Sequence, residues 1–456
     1  MNDVRLCRIE INNLFGRINY DIKLFDDECI SIFTAPNGCG KTTILKLLSF
    51  LFAPDKSTYD FAKKIPFDQF RCHFTNGKVV ELIQHRRDGY YSFDGRKIKP
   101  PKPRNEGESE LLSASSLAFR IATKDGKSLQ AISYAGDYQE ALEKSPGELL
   151  GTDEEVDEEI YDTDPKEFFK LVFPYLFRQQ RELLQKENCG PSVKLISANR
   201  IQVAEQSFKD GFGEEDGLTL ESPLKIASKQ MATRITEATE QYGEAVSQAK
   251  DRMPQMFIDG EGGNLSFKEF MRGWAAYQKK LKQYHEIGLI RSVEDFTAGK
   301  NIEDVYKEKG SFLSTYLSAF KETTGVLKDI YDRMSLFKKI LDERNAITGK
   351  AVKMSRNGIA MVANGREIDL DSLSSGEKND FVMFYDLIFN TVAGGLVLID
   401  EPEISLHIEW QETYLDNLMT ICKMNHLKAI VATHSPSIVG SHYDLIVDKG
   451  ENNESN

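Results

Sequence analysis

The stretch APNGCGKTT, residues 35–43, lies between two apolar runs, ISIF at 30–33 and ILKLLSFLF at 44–52. An apolar strand, a glycine-rich turn and an apolar helix in this order are typical of a phosphate-binding loop with the pattern G-x-x-x-x-G-K-[ST]. The backbone N–H groups of such a loop converge at the N-terminus of the following helix, which attracts an anion. The alternative is a tight turn without a ligand. Other residues of a nucleotide site, elsewhere in the chain, would favour the phosphate-binding loop.

The residues of this loop have separate predicted roles. Ala35 replaces the first glycine of the pattern, which is tolerable because Gly38 and Gly40 still provide a flexible backbone. Lys41 is expected to contact the β- and γ-phosphates of a nucleotide, and Thr42 to bind Mg²⁺. The predicted phosphate-binding residues are Asn37, Gly38, Cys39, Gly40, Lys41, Thr42 and Thr43.

Two adjacent carboxylates follow a second apolar run, in LVLIDEPE at 396–403. Asp400 and Glu401 come directly after a predicted core strand, at the edge where α/β sheets bind ligands. Carboxylates at such a buried position need a cationic partner, and a metal ion would be one. We therefore expect Asp400 to bind Mg²⁺ and Glu401 to be the base that orients and deprotonates an attacking water.

Two further motifs complete the set of candidates. LSSGEK at 373–378 opens a predicted helix, so the Ser374 side chain and the N–H groups near Gly376 can bind a γ-phosphate. The alternative is an ordinary capping box at that helix start. VATHSP at 431–436 places His434 at the end of a strand, where a lone histidine is either structural or catalytic. The predicted phosphate-binding residues of LSSGEK are Ser374, Ser375, Gly376 and Glu377.

Composition narrows the class of protein. The formal net charge of the 456 residues is −13, which disfavours strong non-specific binding of nucleic acid. No apolar run approaches the roughly 20 residues that span a bilayer, and the N-terminus has no secretory signal. The six cysteines are scattered without a zinc-like spacing and are interpreted as reduced thiols. We expect a cytoplasmic protein that does not contact a membrane.

The chain is predicted to be α/β, with a helical insertion. Residues 4–33 alternate like paired strands, and Asp26-Asp27 is the predicted turn into the last of them. KPPKPR at 99–104 is a predicted linker. Two stripes of apolar residues with 3–4 spacing, at 267–284 and 316–341, predict an antiparallel helical arm. The alternative is two separate helices of an ordinary bundle.

These motifs, in this order, resemble the ABC-type ATPases of the OLD, RecF and SMC class. The resemblance implies a P-loop NTPase head split by a mainly helical insertion, with lobes at 1–104 and 349–456, the insertion at 105–348 and the arm at about 265–341. LSSGE then corresponds to the LSGGQ-type signature, with Ser375 for Gly and Glu377 for Gln, and SLHIEWQ (405–411) to the D-loop followed by the helix of the OLD-like members. His434 corresponds to the switch histidine. The Q-loop residue stays open between Gln69 and Gln84.

The resemblance also implies cofactors and partners. ATP and Mg²⁺ are the expected cofactors, and Ser374 and Gly376 are expected to complete the site of another subunit in a head-to-head dimer or larger homo-oligomer. In layout the chain is similar to the ATPase components of bacterial anti-phage systems, AriA of PARIS and PtuA of Septu. That similarity implies a sensor or scaffold that controls a separate effector nuclease, of Toprim or HNH type, in response to a phage-encoded trigger.

An alternative function stays open at this point. A DNA-repair ATPase resembling RecF would act directly on DNA, and the sequence does not settle whether DNA is bound. We find no further acidic metal cluster after His434, so no nuclease domain is expected in this chain. DNA-stimulated hydrolysis by the purified protein alone would favour the repair function.

Overall fold

The computed structural model describes residues 4–36, 38–85, 91–93, 96–98, 116–134, 165–196, 222–261, 265–293 and 301–447. The chain forms two compact units, one of Met1–Ala198 with Thr391–Asn456 and one of Asn199–Asn390. Asn37 and the predicted linker at 99–104 lie outside the described residues. None of the described helices is long and apolar enough to cross a bilayer.

An antiparallel sheet of six strands forms one layer of the first unit, with the order β2-β1-β4-β5-β8-β9. Its strands alternate between buried and partly exposed residues, as Gln69–Phe74 shows, because one face packs on the core. The strands are β1 Leu6–Leu14, β2 Ile18–Lys23, β4 Gln69–Phe74, β5 Lys78–His85, β8 Ser116–Thr123 and β9 Ser128–Ser133. A separate short pair is β6 Tyr91–Phe93 with β7 Arg96–Ile98.

A parallel sheet of four strands forms the second layer, with the order β10-β14-β15-β3. The strands are β3 Ile30–Thr34, β10 Val193–Ile196, β14 Leu396–Asp400 and β15 Lys428–Thr433. Every residue of β14 is buried, as expected for a parallel sheet covered on both faces. The sequence predicted an α/β fold with a core strand directly before Asp400, and the structure confirms both.

The predicted pairing of the third strand is wrong. β1 and β2 pair antiparallel as expected, but β3 pairs with β15 in the parallel sheet. The reason is that the first four residues of β3 are all buried, so this strand needs cover on both faces and cannot extend the half-exposed antiparallel sheet. Asp26-Asp27 therefore marks a change of sheet rather than a hairpin turn.

Helix α1, Lys41–Phe52, lies in the core of the first unit. Ten of its residues are buried, which is typical of a helix that is apolar on all sides and packs between layers. The other helices of this unit are α2 Lys56–Lys64, α3 Pro165–Lys186, α9 Ile408–Glu412, α10 Tyr414–Asn425 and α11 Pro436–Val439. After the last of these helices, the chain forms the 3-10 turn Tyr443–Leu445, and Ile446 bridges to Ile32 of β3 in parallel.

The second unit contains a helical bundle formed by α4 Pro223–Ile258, α5 Phe267–Glu286 and α6 Ile302–Lys321. Its core consists of Phe270, Trp274, Tyr277, Leu281, Leu313, Leu317 and Phe320. The first predicted apolar stripe is therefore confirmed as the buried face of α5. The packing direction differs from the predicted arm, as the contacts between these helices show.

The start of α5 contacts the first part of α6, and the end of α5 contacts the residues after α6. Phe270 lies 5.0 Å from Tyr306 between ring centroids, and the Tyr284 hydroxyl donates a hydrogen bond to the Thr324 carbonyl beyond the end of α6. These two helices therefore run parallel. Helix α4 runs antiparallel to both, because Thr239 in its middle donates a hydrogen bond to the Leu289 carbonyl after the end of α5, whereas Phe257 at its end lies 6.3 Å from Phe312 near the middle of α6.

The second predicted stripe, 316–341, is not one helix. A 3-10 turn at Thr323–Gly325 separates α6 from α7, Lys328–Asn345. The hydroxyls of Thr323 and Thr324 donate to the carbonyls of Phe320 and Lys321, and such local bonds compete with a continuing helix.

The rest of the second unit contains a three-stranded sheet and the helix that LSSGEK was predicted to open. Strands β11 Lys350–Ser355, β12 Gly358–Ala363 and β13 Arg366–Ile368 form an antiparallel meander. Helix α8, Ser375–Phe389, packs against α7. A buried ion pair joins these helices, with Arg344 Nη1 at 3.1 Å from Asp380 Oδ2.

The compact units do not divide the chain at the predicted domain boundaries. Strands β8, β9 and β10, which the sequence assigned to an insertion at 105–348, pair within the sheets of the first unit. Residues 349–390, which were assigned to the head, belong to the second unit. The boundaries at 104 and 349 stay a prediction about domains.

Candidate functional site

The loop after β3 has the backbone that the glycine pattern predicts. Gly38 and Gly40 have positive φ angles of 82° and 83°, which glycine adopts without a steric penalty. A Cβ atom at Gly40 would lie 2.7 Å from the Leu14 side chain. Gly40 caps α1, which begins at Lys41, so the loop leads directly into a helix N-terminus suited to an anion.

Lys41 is buried although it is a cation, with 4% of its surface exposed. Its Nζ donates to the Ala35 carbonyl at 2.6 Å and to the Pro36 carbonyl at 3.3 Å. The Tyr20 hydroxyl fixes the same loop by donating to the Cys39 carbonyl at 2.8 Å. The Lys41 ammonium thus lies against the loop and donates to neutral oxygens. An anion bound in the loop would be close to it.

Thr42 and Asp400 meet although they belong to opposite ends of the chain. The Thr42 hydroxyl donates to Asp400 Oδ1 at 3.1 Å. Burial raises the pKa of Asp400, while the hydrogen bond from Thr42 lowers it and the charge of Glu401 raises it further. A buried carboxylate beside a hydroxyl and a second carboxylate is a donor set that suits Mg²⁺. The residues present therefore fit the predicted metal.

Glu401 adopts an unusual backbone conformation. Its φ of 44° and ψ of 59° lie in the left-handed region, which costs a non-glycine residue roughly 1–2 kcal/mol. Its N–H donates to the Ala432 carbonyl of β15 at 2.8 Å, so the neighbouring strand holds the turn in place. Strained residues of this kind cluster at functional sites, and the turn places Glu401 next to Asp400 at the carboxyl edge of the sheet.

Glu403 was missed by the sequence reasoning, and the structure places it at the centre of the acidic turn. Its Oε1 accepts the Thr433 hydroxyl at 2.8 Å and the His434 N–H at 3.0 Å. His434 Nδ1 lies 3.0 Å from the same oxygen and 3.8 Å from Glu401 Oε1. Glu403 is therefore a positioning residue that connects β15 to the acidic turn. The sequence did contain a signal, because Glu403, the second glutamate of DEPE, lies between two apolar residues. The structure shows that it is buried.

Neither candidate for the Q-loop has an amide that is free of protein partners. Gln84 Nε2 donates to the Lys63 carbonyl at 3.1 Å, and its Oε1 accepts the Phe67 N–H. Gln69 Nε2 donates to Glu81 at 2.5 Å. Gln84 thus ties α2 to the start of β4, and Gln69 bonds across to β5, so the Q-loop assignment stays open.

The signature residues lie in the second unit, at the start of α8. Ser374 is the N-cap, and it forms a capping box with Glu377. Lys350 Nζ also contacts both oxygens of Glu377, at 2.7 and 2.8 Å. Burial acts to raise the pKa of Glu377, but Lys350 and the bonds from Ser374 outweigh it and the pKa is lowered. The capping box is thus present, with Ser375 and Gly376 in the first turn, and the phosphate role of these residues stays a prediction.

Glu403→Ala should destabilise the first unit by about 2 kcal/mol, because the Thr433 hydroxyl and the His434 N–H would lose a charged acceptor. The midpoint of urea unfolding measures this. Glu409→Ala is the matched control, since Glu409 is an exposed glutamate on the adjacent α9. Equal midpoints for both variants would show that Glu403 does not hold β15 to the turn.

Comparisons with known proteins identify the family of this chain. The profile of the AAA_15 family, described as an AAA ATPase domain, matches residues 5–439. The chain is 32% identical to the Retron Vc95 probable ATPase of Vibrio cholerae over 102 residues, 19% of this chain and 20% of that protein. It is 26% identical to the Septu protein PtuA of Bacillus thuringiensis over 203 residues, 40% of this chain and 50% of that protein. The chain thus spans from a fifth to half of the length of these curated relatives.

Two solved structures align along most of the chain at low similarity. One is the Smc head domain with an extended coiled coil bound to the C-terminal domain of ScpA, from Pyrococcus furiosus, with 11% identity, a TM-score of 0.35, and 98% and 96% of the two chains covered. The other is the SMC head domain of Thermotoga maritima, with 11% identity, a TM-score of 0.31, and coverage of 97% and 92%. Scores at this level carry no argument about function.

The match over residues 5–439 includes the loop at Lys41, the acidic turn at Asp400 and the strand that ends before His434. The resemblance to PtuA of Septu is confirmed by the sequence similarity. This chain belongs to the AAA ATPase domain family.

Proposed function

We propose that this chain binds ATP with Mg²⁺ and hydrolyses it at the site formed by the loop at 35–43 and the acidic turn after β14. The observation that carries the proposal is the 3.1 Å hydrogen bond between Thr42 and Asp400. It brings the predicted hydroxyl ligand and the predicted carboxylate ligand of one metal into contact. The family membership supports nucleotide binding and ATPase activity.

Each residue of the site has one task in this proposal. Thr42 and Asp400 hold Mg²⁺, which would neutralise charge on the phosphates. Lys41 leaves the loop carbonyls and donates to the phosphate oxygens, as a charge-assisted contact. Glu401 accepts the proton of the attacking water, and the left-handed turn fixes its carboxylate for that purpose. His434 Nδ1 lies 3.0 Å from Glu403 Oε1, which positions it, and 3.8 Å from Glu401 Oε1.

Lys41→Ala should abolish ATP binding, because the charge-assisted phosphate contact is removed. Glu401→Gln should bind ATP as the wild type does and hydrolyse it at least about 100-fold more slowly, because the amide keeps the shape and cannot accept the proton. Nucleotide affinity and steady-state hydrolysis separate the two effects. Glu409→Gln is the matched control and should retain both activities. Wild-type turnover by Glu401→Gln would contradict the assignment of the base.

We further propose that the chain works as a homo-oligomer, at least a head-to-head dimer. Ile404 and Ile408 support this proposal, because 59% and 63% of their surfaces are exposed directly beside the acidic turn. No residue of α9 is buried. Exposed apolar side chains at a functional site are typical of a protein interface. In such a dimer Ser374 and Gly376 would complete the nucleotide site of the partner.

The biological role that we propose is a sensor or scaffold that controls a separate effector nuclease in anti-phage defence. Its support is the similarity to the Septu protein PtuA and to the Retron Vc95 probable ATPase. ATP-driven engagement of the subunits would be the two-state element that passes the signal, since a trigger can only bias an existing equilibrium. The effector is expected to be of Toprim or HNH type.

Native mass spectrometry of the tagged chain, purified from its native host, tests both the oligomer and the effector. We expect a complex with at least two copies of this chain and a nuclease, and loss of protection against phage with Lys41→Ala. A monomer without a nuclease would contradict the proposal. Hydrolysis that DNA stimulates in the purified chain alone would instead favour a repair ATPase resembling RecF.

A further inference from the structure

Glu377 occupies the position at which the LSGGQ-type signature has glutamine, and it adds a negative charge to the first turn of α8. Only 5% of its side chain is exposed. Glu377 Oε2 accepts the Ser374 N–H at 2.9 Å, and the Ser374 hydroxyl accepts the Glu377 N–H at 3.3 Å. The carboxylate thus lies at the helix N-terminus, the region that attracts anions. A phosphate that approaches this turn would meet a like charge.

Lys350, the first residue of β11, supplies a cation to this carboxylate. Its Nζ lies 2.7 Å from Glu377 Oε1 and 2.8 Å from Glu377 Oε2, so it contacts both oxygens. The Lys350 side chain is 22% exposed, and a partly buried pair of this kind is screened by salt less than an exposed one. The two side chains together therefore carry no net charge next to the turn.

Two backbone N–H groups of the same turn remain available. The first N–H groups of a helix have no acceptor within the helix, and in the part of the chain that the structure describes those of Ser375 and Gly376 have no other acceptor. Ser375 is exposed and Gly376 is partly exposed. A phosphate could accept both N–H groups, provided that the carboxylate of Glu377 beside them is neutralised.

An ion pair can also serve only to hold two elements together, and α8 has one pair of that kind. One turn beyond Glu377, Asp380 pairs with Arg344 of α7 at 3.1 Å, and both side chains are almost completely buried. The Lys350–Glu377 pair differs, because it lies at the end of the helix beside the exposed Ser374. Its charge balance therefore affects any anion that approaches the turn.

We propose that Lys350 is a positioning residue for the contact between subunits. It neutralises Glu377, and the turn at 374–376 can then receive the γ-phosphate of ATP bound by a second copy of this chain. This inference rests on the proposed homo-oligomer. The observation that carries it is the contact of Lys350 with both oxygens of an acid that lies beside two available N–H groups. Lys350 itself does not touch the nucleotide.

The experiment uses the Glu401→Gln chain as the parent, because it is expected to hold ATP without hydrolysing it. Sedimentation velocity measures the dissociation constant of the ATP-induced dimer. Lys350→Met should raise this constant about tenfold or more, because the carboxylate left without a cation repels the phosphate. Adding Glu377→Gln to Lys350→Met should restore the dimer, since the amide oxygen still accepts the Ser374 N–H and carries no charge.

Three further variants control for effects on folding. Lys353→Met is the matched control, since Lys353 lies on the same strand and pairs with Glu367 at 3.0 Å on the surface. It should dimerise as the parent does, and so should Lys350→Arg, which keeps the charge. Glu377→Gln alone should dimerise at least as tightly as the parent. This variant leaves no buried charge unpaired, so it tests the proposal even if Lys350→Met fails to fold.

The outcomes separate this inference from the proposed oligomer. A Lys350→Met dimer as tight as that of the parent, or a weaker dimer with Glu377→Gln alone, would overturn the role of Lys350 and leave the oligomer intact. Equal weakening in Lys350→Met and in the double variant would show that the pair only holds β11 to α8, and would also overturn it. A parent chain that ATP does not dimerise would contradict the oligomer, and this inference with it.

Discussion

The hydrogen bond between Thr42 and Asp400 joins residues that are 358 positions apart. It requires β3 and β14 to lie in one parallel sheet, with β15 between them in a fixed register. Asp400 is opposite Ala432, and Thr34 is opposite Thr433. This one constraint explains why the first unit is built from both ends of the chain, and why β3 leaves the antiparallel sheet of its sequence neighbours.

The acidic turn is costly for the fold in the absence of a cation. Asp400 and Glu403 are buried, and burial raises the pKa of Asp400. Glu401 has a left-handed backbone. A buried charge needs a partner, and Thr42, Thr433 and the His434 N–H provide hydrogen bonds without supplying a full positive charge. These features support the proposal that the turn holds Mg²⁺.

The sequence predicted the parts of the site that depend on local pattern. Glycines with positive φ, a lysine at the helix start and acids after a core strand each follow from a few adjacent residues, and the structure brings Thr42 and Asp400 together. Glu403 was missed because its role depends on Thr433 and His434, which only the sheet places beside it.

The errors in the fold have the same origin. The apolar stripe of α5 was visible in the sequence, whereas its parallel packing on α6 and the antiparallel packing of α4 depend on contacts between distant residues. The break at Thr323–Gly325 had a local signal, because two threonines and a glycine interrupt the helix. The prediction nevertheless treated 316–341 as one stripe, because the 3–4 spacing of apolar residues continues through the break. Periodicity thus identified buried faces correctly and did not determine which helices pair.

The most direct test of a joint Thr42–Asp400 metal site is a double-mutant cycle on Mg²⁺-dependent ATP binding, measured by titration calorimetry. Thr42→Val and Asp400→Asn should each remove the gain in ATP affinity that Mg²⁺ provides, roughly tenfold or more. The double variant should then lose little beyond either single variant, because both residues hold the same ion. Independent, additive losses, or ATP affinity that does not respond to Mg²⁺ in the wild type, would contradict the account.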